Sequence, residues 1–176
     1  MNQAMGNEDV TDPVNRGPET RDSFAELYVA GVLADAGWNV YFPRRDQGFD
    51  FIVTKQVGKS IVLRPVQVKG KYATAEKTAK PYYGFVGRLT QFHPEMVLAI
   101  PYFTREAERA PLFTAYLPIG QIRRRGQIEA EFRAQPAVFR EGAPHIRPHY
   151  RRFFDTEGLT LLESPTWANE APRRNP

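Results

Sequence analysis

Asp46-Gln47-Gly48-Phe49-Asp50-Phe51-Ile52-Val53, with Val66-Gln67-Val68-Lys69-Gly70-Lys71 downstream, sets a carboxylate inside one apolar run and a Gln-x-Lys pair at the end of another. Both runs have the β-branched and aromatic content of strands. Side chains alternate along a strand, so Asp50 shares a face with Ile52, and Phe49 and Phe51 take the other. Gln67 and Lys69 likewise share a face, leaving Val66 and Val68 to pack in the core. A turn at Val57-Gly58-Lys59 joins a strand at 49–54 to a strand at 60–69. A hairpin centred near residues 57–58 brings residues 64 and 65 opposite Asp50, within a few residues of Gln67. One carboxylate, one carboxamide and one amine then meet on one side of a two-stranded ribbon.

That grouping suits a hard divalent cation. Mg²⁺ takes oxygen ligands, often few from the protein, and keeps several waters. Asp50, the side-chain oxygen of Gln67 and the backbone carbonyl of Val68 are candidate metal ligands. Lys69 is placed to orient a water against a phosphodiester and to offset developing charge.

Upstream, a helix is predicted from Arg21 or Asp22. Phe24, Leu27, Tyr28, Gly31 and Val32 recur at spacings of three and four, and Gly37 stops the run. Residues 38–42 read as a strand ended by Pro43. Downstream, residues 71–80 read as a basic loop, 85–92 as a short helix, 96–103 as a strand buried on both faces, and 112–117 as its neighbour. Residues 118–122 open an arginine-rich turn or helix. The order predicts an α/β domain, an N-terminal helix followed by a mixed central sheet of about five strands with flanking helices. The expected organisation is a flexible arm at 1–18, a core at 19–122, an arginine-rich extension at 123–160 packed on the core, and a loose tail at 161–176.

The chain has 176 residues, 41% of them hydrophobic, which is one domain's length and enough to bury a core. It lacks cysteine, so disulfides, thiolate zinc sites and thiol nucleophiles are excluded. The acidic start (Glu8, Asp9, Asp12) is unlike a signal peptide, and the longest apolar stretch is far below the about 20 residues that span a bilayer. A cytoplasmic protein without a membrane segment is expected. Charge is uneven: residues 41–90 carry ten Lys or Arg against three acids, and 121–152 eight arginines against three acids. Such a balance suits a polyanion.

The order of these motifs (a helix carrying Glu26, Gly37-Trp38, a strand, Gly48-x-Asp50, a strand, Gln67-x-Lys69) resembles the PD-(D/E)XK nuclease superfamily. The Gln variant resembles the Mrr-type restriction endonucleases, and the spacing is similar to that of Holliday-junction resolvases. The resemblance covers residues 20–72. It implies a restriction-endonuclease-like core and Mg²⁺-dependent hydrolysis of DNA phosphodiester bonds, with Mn²⁺ as a substitute. It makes Asp50 the central metal ligand, Gln67 the variable acidic position, Lys69 the catalytic lysine and Glu26 the helix carboxylate at the metal. It also implies a homodimer for cutting both strands. Phe49 stands where most members have Pro. Gln67 is neutral where most have an acid, which leaves a catalytically inactive nuclease-fold module, binding nucleic acid or a protein partner, as the alternative.

Arg44, Arg45, Lys71, Tyr72, Lys77 and Lys80 surround these motifs and are candidate nucleic-acid contacts. Asp46 is a further candidate acid. The aromatics Tyr82, Tyr83, Phe85 and Phe92 are read as cover for the sheet. His93, His145 and His149 lack zinc-ligand spacing, and there is no Walker A or GxGxxG motif.

Overall fold

The computed structural model describes residues 18–45, 48–72, 83–89, 93–104, 110–124, 131–140 and 143–171. Helix α1 (Pro18–Asp35) opens the described chain. Ala25, Val29 and Leu33, spaced by four, are fully buried and form its inner stripe. Its end is a Schellman motif. Trp38 N–H donates to Leu33 O and Gly37 N–H to Ala34 O, both at 3.0 Å, with Gly37 at φ +85° where a Cβ would be strained.

Among the described residues, ten strands form two sheets: β1 (Asn39–Tyr41), β2 (Phe51–Val57), β3 (Ser60–Val68), β4 (Lys71–Tyr72), β5 (Tyr83–Arg88), β6 (Val97–Phe103), β7 (Phe113–Pro118), β8 (Arg123–Arg124), β9 (Glu131–Arg140) and β10 (Ala143–Ile146). The first sheet is mixed and six-stranded, in the order β1-β2-β3-β6 with β7 on the far edge of β6. β3 and β4 both run parallel to β6 along one edge, and the other pairings are antiparallel. The second sheet has β9 between β5 on one edge and β8 and β10 on the other. The fold is therefore α/β with few helices, and its central sheet has six strands where about five were expected.

β6 is buried along its whole length because both of its faces are covered. Val97, Ala99 and Phe103 join α1 in one core cluster, with Phe51, Val53, Val66 and Trp167. Leu98, Ile100 and Tyr102 face a second cluster with Ala134, Ala137 and Phe139 of β9. Helix α2 (Asp155–Leu161) follows a 3-10 segment (Pro148–Phe153) and packs against β7.

The expected helix at 85–92 and the expected loose tail differ from the structure. A helix was expected over 85–92, but Tyr83–Arg88 is strand, paired with β9. Gly84 and Gly87 weaken a helix, while pairing with β9 satisfies the backbone of β5. A loose tail was expected from residue 161, yet Leu162 and Trp167 are fully buried. Trp167 Nε1–H donates to Met96 O at 2.9 Å. The buried Arg64 guanidinium donates to Leu162 O and Ser164 O and is paired with Glu95. Burial pulls its pKa below the usual arginine value, and Glu95 holds it up. Polar composition hid these anchors. Of the arm expected at 1–18, residues 1–17 lie outside the described residues, and Pro18 already begins α1.

No helix among the described residues is long and apolar enough to cross a membrane.

Candidate active site

The β2–β3 hairpin turns through Gly58-Lys59, with Val57 opposite Ser60. Gly58 has φ +60°, the positive value a tight two-residue loop needs at its first position. The centre thus lies one residue later than the sequence reading placed it. Moving the centre by one moves the pairing by two, which keeps the faces and changes the partner. Phe51 pairs with Val66, and Asp50 N–H donates to Val66 O at 2.9 Å. The ladder ends at that pair, and it is the Asp50 side chain that meets Gln67, where residues 64 and 65 were expected opposite Asp50. Asp50 precedes β2 rather than lying within it, and Lys69 follows β3.

The contact this creates is direct. Gln67 Nε2 donates to both carboxylate oxygens of Asp50, at 3.1 and 3.0 Å, and Val68 N–H donates to Oδ2 at 2.5 Å. Lys69 N–H bonds Ala99 O of β6, so backbone groups of alternate residues point to opposite edges of β3. The Val68 N–H and C=O both point to the β2 edge, on the Asp50 side.

Glu26, from α1, completes the group. It shares a cleft of about 420 Å³ with Asp50, Gln67 and Lys69, walled by Phe42, Pro43, Gly48 and Phe49 and by Arg88 from the second sheet. Burial pushes the Glu26 carboxyl above its ordinary pKa. The Asp50 charge raises it further, Lys69 lowers it, and Asp22 raises it slightly. A carboxyl whose pKa is higher in the folded state favours folding while protonated and loses that contribution as pH rises. In metal-free protein, Glu26→Gln should gain stability relative to wild type as pH rises from the ordinary carboxylate range toward neutrality. Urea unfolding at a series of pH values checks this, and a constant difference would contradict it.

The four residues singled out from the sequence are brought to one cleft. Arg44 and Arg45 are exposed beyond β1, and Lys71 is half-buried in β4. Tyr72 differs from expectation: it is buried, and its ring stacks on Phe103 at 4.4 Å, so that face is not open to a base. Asp46, Lys77, Lys80, Tyr82 and Phe92 lie outside the described residues. Arg88 was missed as a site residue because it was placed in a helix, and Phe42 and Phe49 because they read as strand.

Among the described residues there is no group of three or more His, Cys, Asp or Glu that could hold a metal. The carboxylates here are two, Glu26 and Asp50. The remaining donors are the Gln67 amide oxygen and the Val68 carbonyl, giving an all-oxygen set suited to a hard cation. Gln67 would present its oxygen after a half-turn of the amide. No protein-family model, curated protein or solved structure matches the chain.

Proposed function

We propose that the protein has a restriction-endonuclease-like core and hydrolyses DNA phosphodiester bonds with Mg²⁺. The observation that carries this reading is the convergence of Glu26, Asp50, Gln67 and Lys69 on one open cleft. Mg²⁺ bound there, or Mn²⁺ in its place, would supply Lewis-acid polarisation of a phosphate oxygen and an acidified water. Asp50 and Glu26 would hold the cation, with Gln67 and Val68 giving neutral oxygens. The Lys69 ammonium, on the Gln67 face of β3, would orient the attacking water and offset charge developing on the phosphate. Arg88 would take a second phosphate from the opposite wall. A homodimer would place two such clefts on opposite strands.

A second reading has its own observation. Gln67 already donates to both oxygens of Asp50, so that carboxylate is satisfied without a cation. This favours a catalytically inactive nuclease-fold module that binds nucleic acid or a protein partner. Gln67→Glu separates the two readings. The added carboxylate repels Asp50 without metal and shares the cation with it. An active site should bind Mn²⁺ more tightly and keep or raise cleavage, whereas an abandoned one should lose stability and gain no activity. Calorimetry with Mn²⁺ and cleavage of supercoiled, linear and branched DNA read both outcomes.

A further inference from the structure

We infer that the outer face of the second sheet is a phosphate-binding track that carries a DNA duplex to the cleft. This rests on the nucleic-acid part of the proposed function and not on cleavage.

β9 has a bulge. Tyr83 pairs with Ala137 and Phe85 with Ala134, so β9 holds one extra residue over this stretch. The extra residue shifts the alternation. Ala134 faces the core before it, and Ala137 and Phe139 after it. Arg133 before the bulge and Arg140 after it are both exposed, on the face turned away from that core.

Arg133 is directly opposite Arg123 of β8, and both are exposed. Like charges directly opposite across a ladder destabilise a sheet. Glu131, two residues before Arg133, lies opposite Arg88 and offsets part of this charge. Arg88 itself lines the Asp50 cleft, so the cationic face and the candidate site are continuous. At the far end a second cleft, of about 630 Å³, lies between β9, β10 and the 3-10 segment. Arg140, Arg147, His145 and His149 line it. Its wall is tied to β9 by the backbone: His145 lies opposite Val138, and Arg147 N–H donates to Pro136 O at 3.0 Å.

The spacing suits a polyanion rather than a lone anion. Arg88 lies opposite Glu131, and Arg140 stands nine residues further along β9. The bulge leaves about eight steps of about 3.3 Å, so the two are about 26 Å apart, farther than one phosphate can bridge. A single phosphate would occupy one end, whereas a duplex backbone can meet both arginine groups at once.

The test is fluorescence anisotropy of a labelled duplex of about 20 base pairs with the full chain in EDTA, across a salt series. Each lost phosphate contact should flatten the slope of log K against log salt by about 0.9. Arg140→Ala with Arg147→Ala, and separately Arg123→Ala with Arg133→Ala, should each weaken binding and flatten the slope by up to about 1.8. Arg140→Lys with Arg147→Lys keeps the charge and should keep the wild-type slope, which separates lost contacts from lost structure. Wild-type affinity and slope in both alanine pairs, with a wild type that binds the duplex, overturn the track and leave the nuclease reading standing. A wild type that does not bind the duplex in EDTA also overturns the track, and one that in addition cuts no DNA when Mg²⁺ is supplied overturns both.

Discussion

Asp50→Asn should abolish Mg²⁺-dependent cleavage while leaving a folded protein. The substitution barely changes volume. It removes the one carboxylate that meets both Gln67 and the Val68 N–H, and with it the main hold on a cation. The local cost is the loss of charge assistance in those bonds, about 1–2 kcal/mol, because an amide oxygen still accepts. Lys69→Ala should leave Mn²⁺ binding nearly intact and lower cleavage by about 10²–10³-fold, the usual loss when one charge-stabilising donor is removed. Their effects on Glu26 have opposite signs. Removing the Asp50 charge brings the Glu26 pKa down toward its ordinary value, and removing the Lys69 charge lets it rise further. Calorimetry with Mn²⁺, DNA cleavage assays and NMR titration of the Glu26 carboxyl read these effects. Cleavage that survives both substitutions would place the chemistry on other residues. A wild type that neither binds metal nor cuts DNA would leave the inactive module as the better reading.

The candidate site was legible because it depends on strand alternation, which tolerates errors of two residues. The turn was placed one residue early, so Asp50 was paired with the wrong partner, yet Asp50, Gln67 and Lys69 still fell on one face. The cap at Gly37 and the buried strand at 97–103 were legible for a similar reason. A positive-φ glycine after an apolar helical stripe, and an unbroken apolar run, are strong local signals. What failed was non-local. Nothing adjacent to Gly84 or Gly87 announces that β5 will pair with β9, more than forty residues away. The arginine content of 123–160 was legible as charge, but the bulge that puts Arg133 and Arg140 on one surface is set by pairing. Tyr72 was misread for a related reason, since only the fold reveals Phe103 as its stacking partner.

The polar C-terminal composition concealed a structural clamp, and Trp167→Ala is the substitution that should expose it. Trp167 is fully buried, and its indole N–H reaches the Met96 carbonyl just before β6. Truncating a buried tryptophan costs about 3–5 kcal/mol, here with an orphaned carbonyl included. In a chain of this size that lowers Tm by about 10 °C. Trp167→Phe keeps most of the apolar volume but cannot donate, so it should cost about 1–3 kcal/mol, isolating the hydrogen bond. The clamp has a second jaw in Arg64, whose guanidinium meets Leu162 O, Ser164 O and Glu95 from β3. Arg64→Ala strands a half-exposed carboxylate and three carbonyls, those of Leu63, Leu162 and Ser164, so its cost should match or exceed that of Trp167→Ala. Because β3 ends at Gln67 and Val68, loosening this clamp should also raise the mobility of the Asp50–Gln67 contact. Thermal melts of the three variants give the stabilities, and amide hydrogen exchange at Val68 reports the coupling. Unchanged melting of Trp167→Ala would mean that the C-terminal segment is not held on the core. Unchanged exchange at Val68 in a destabilised variant would mean that the clamp and the site respond independently.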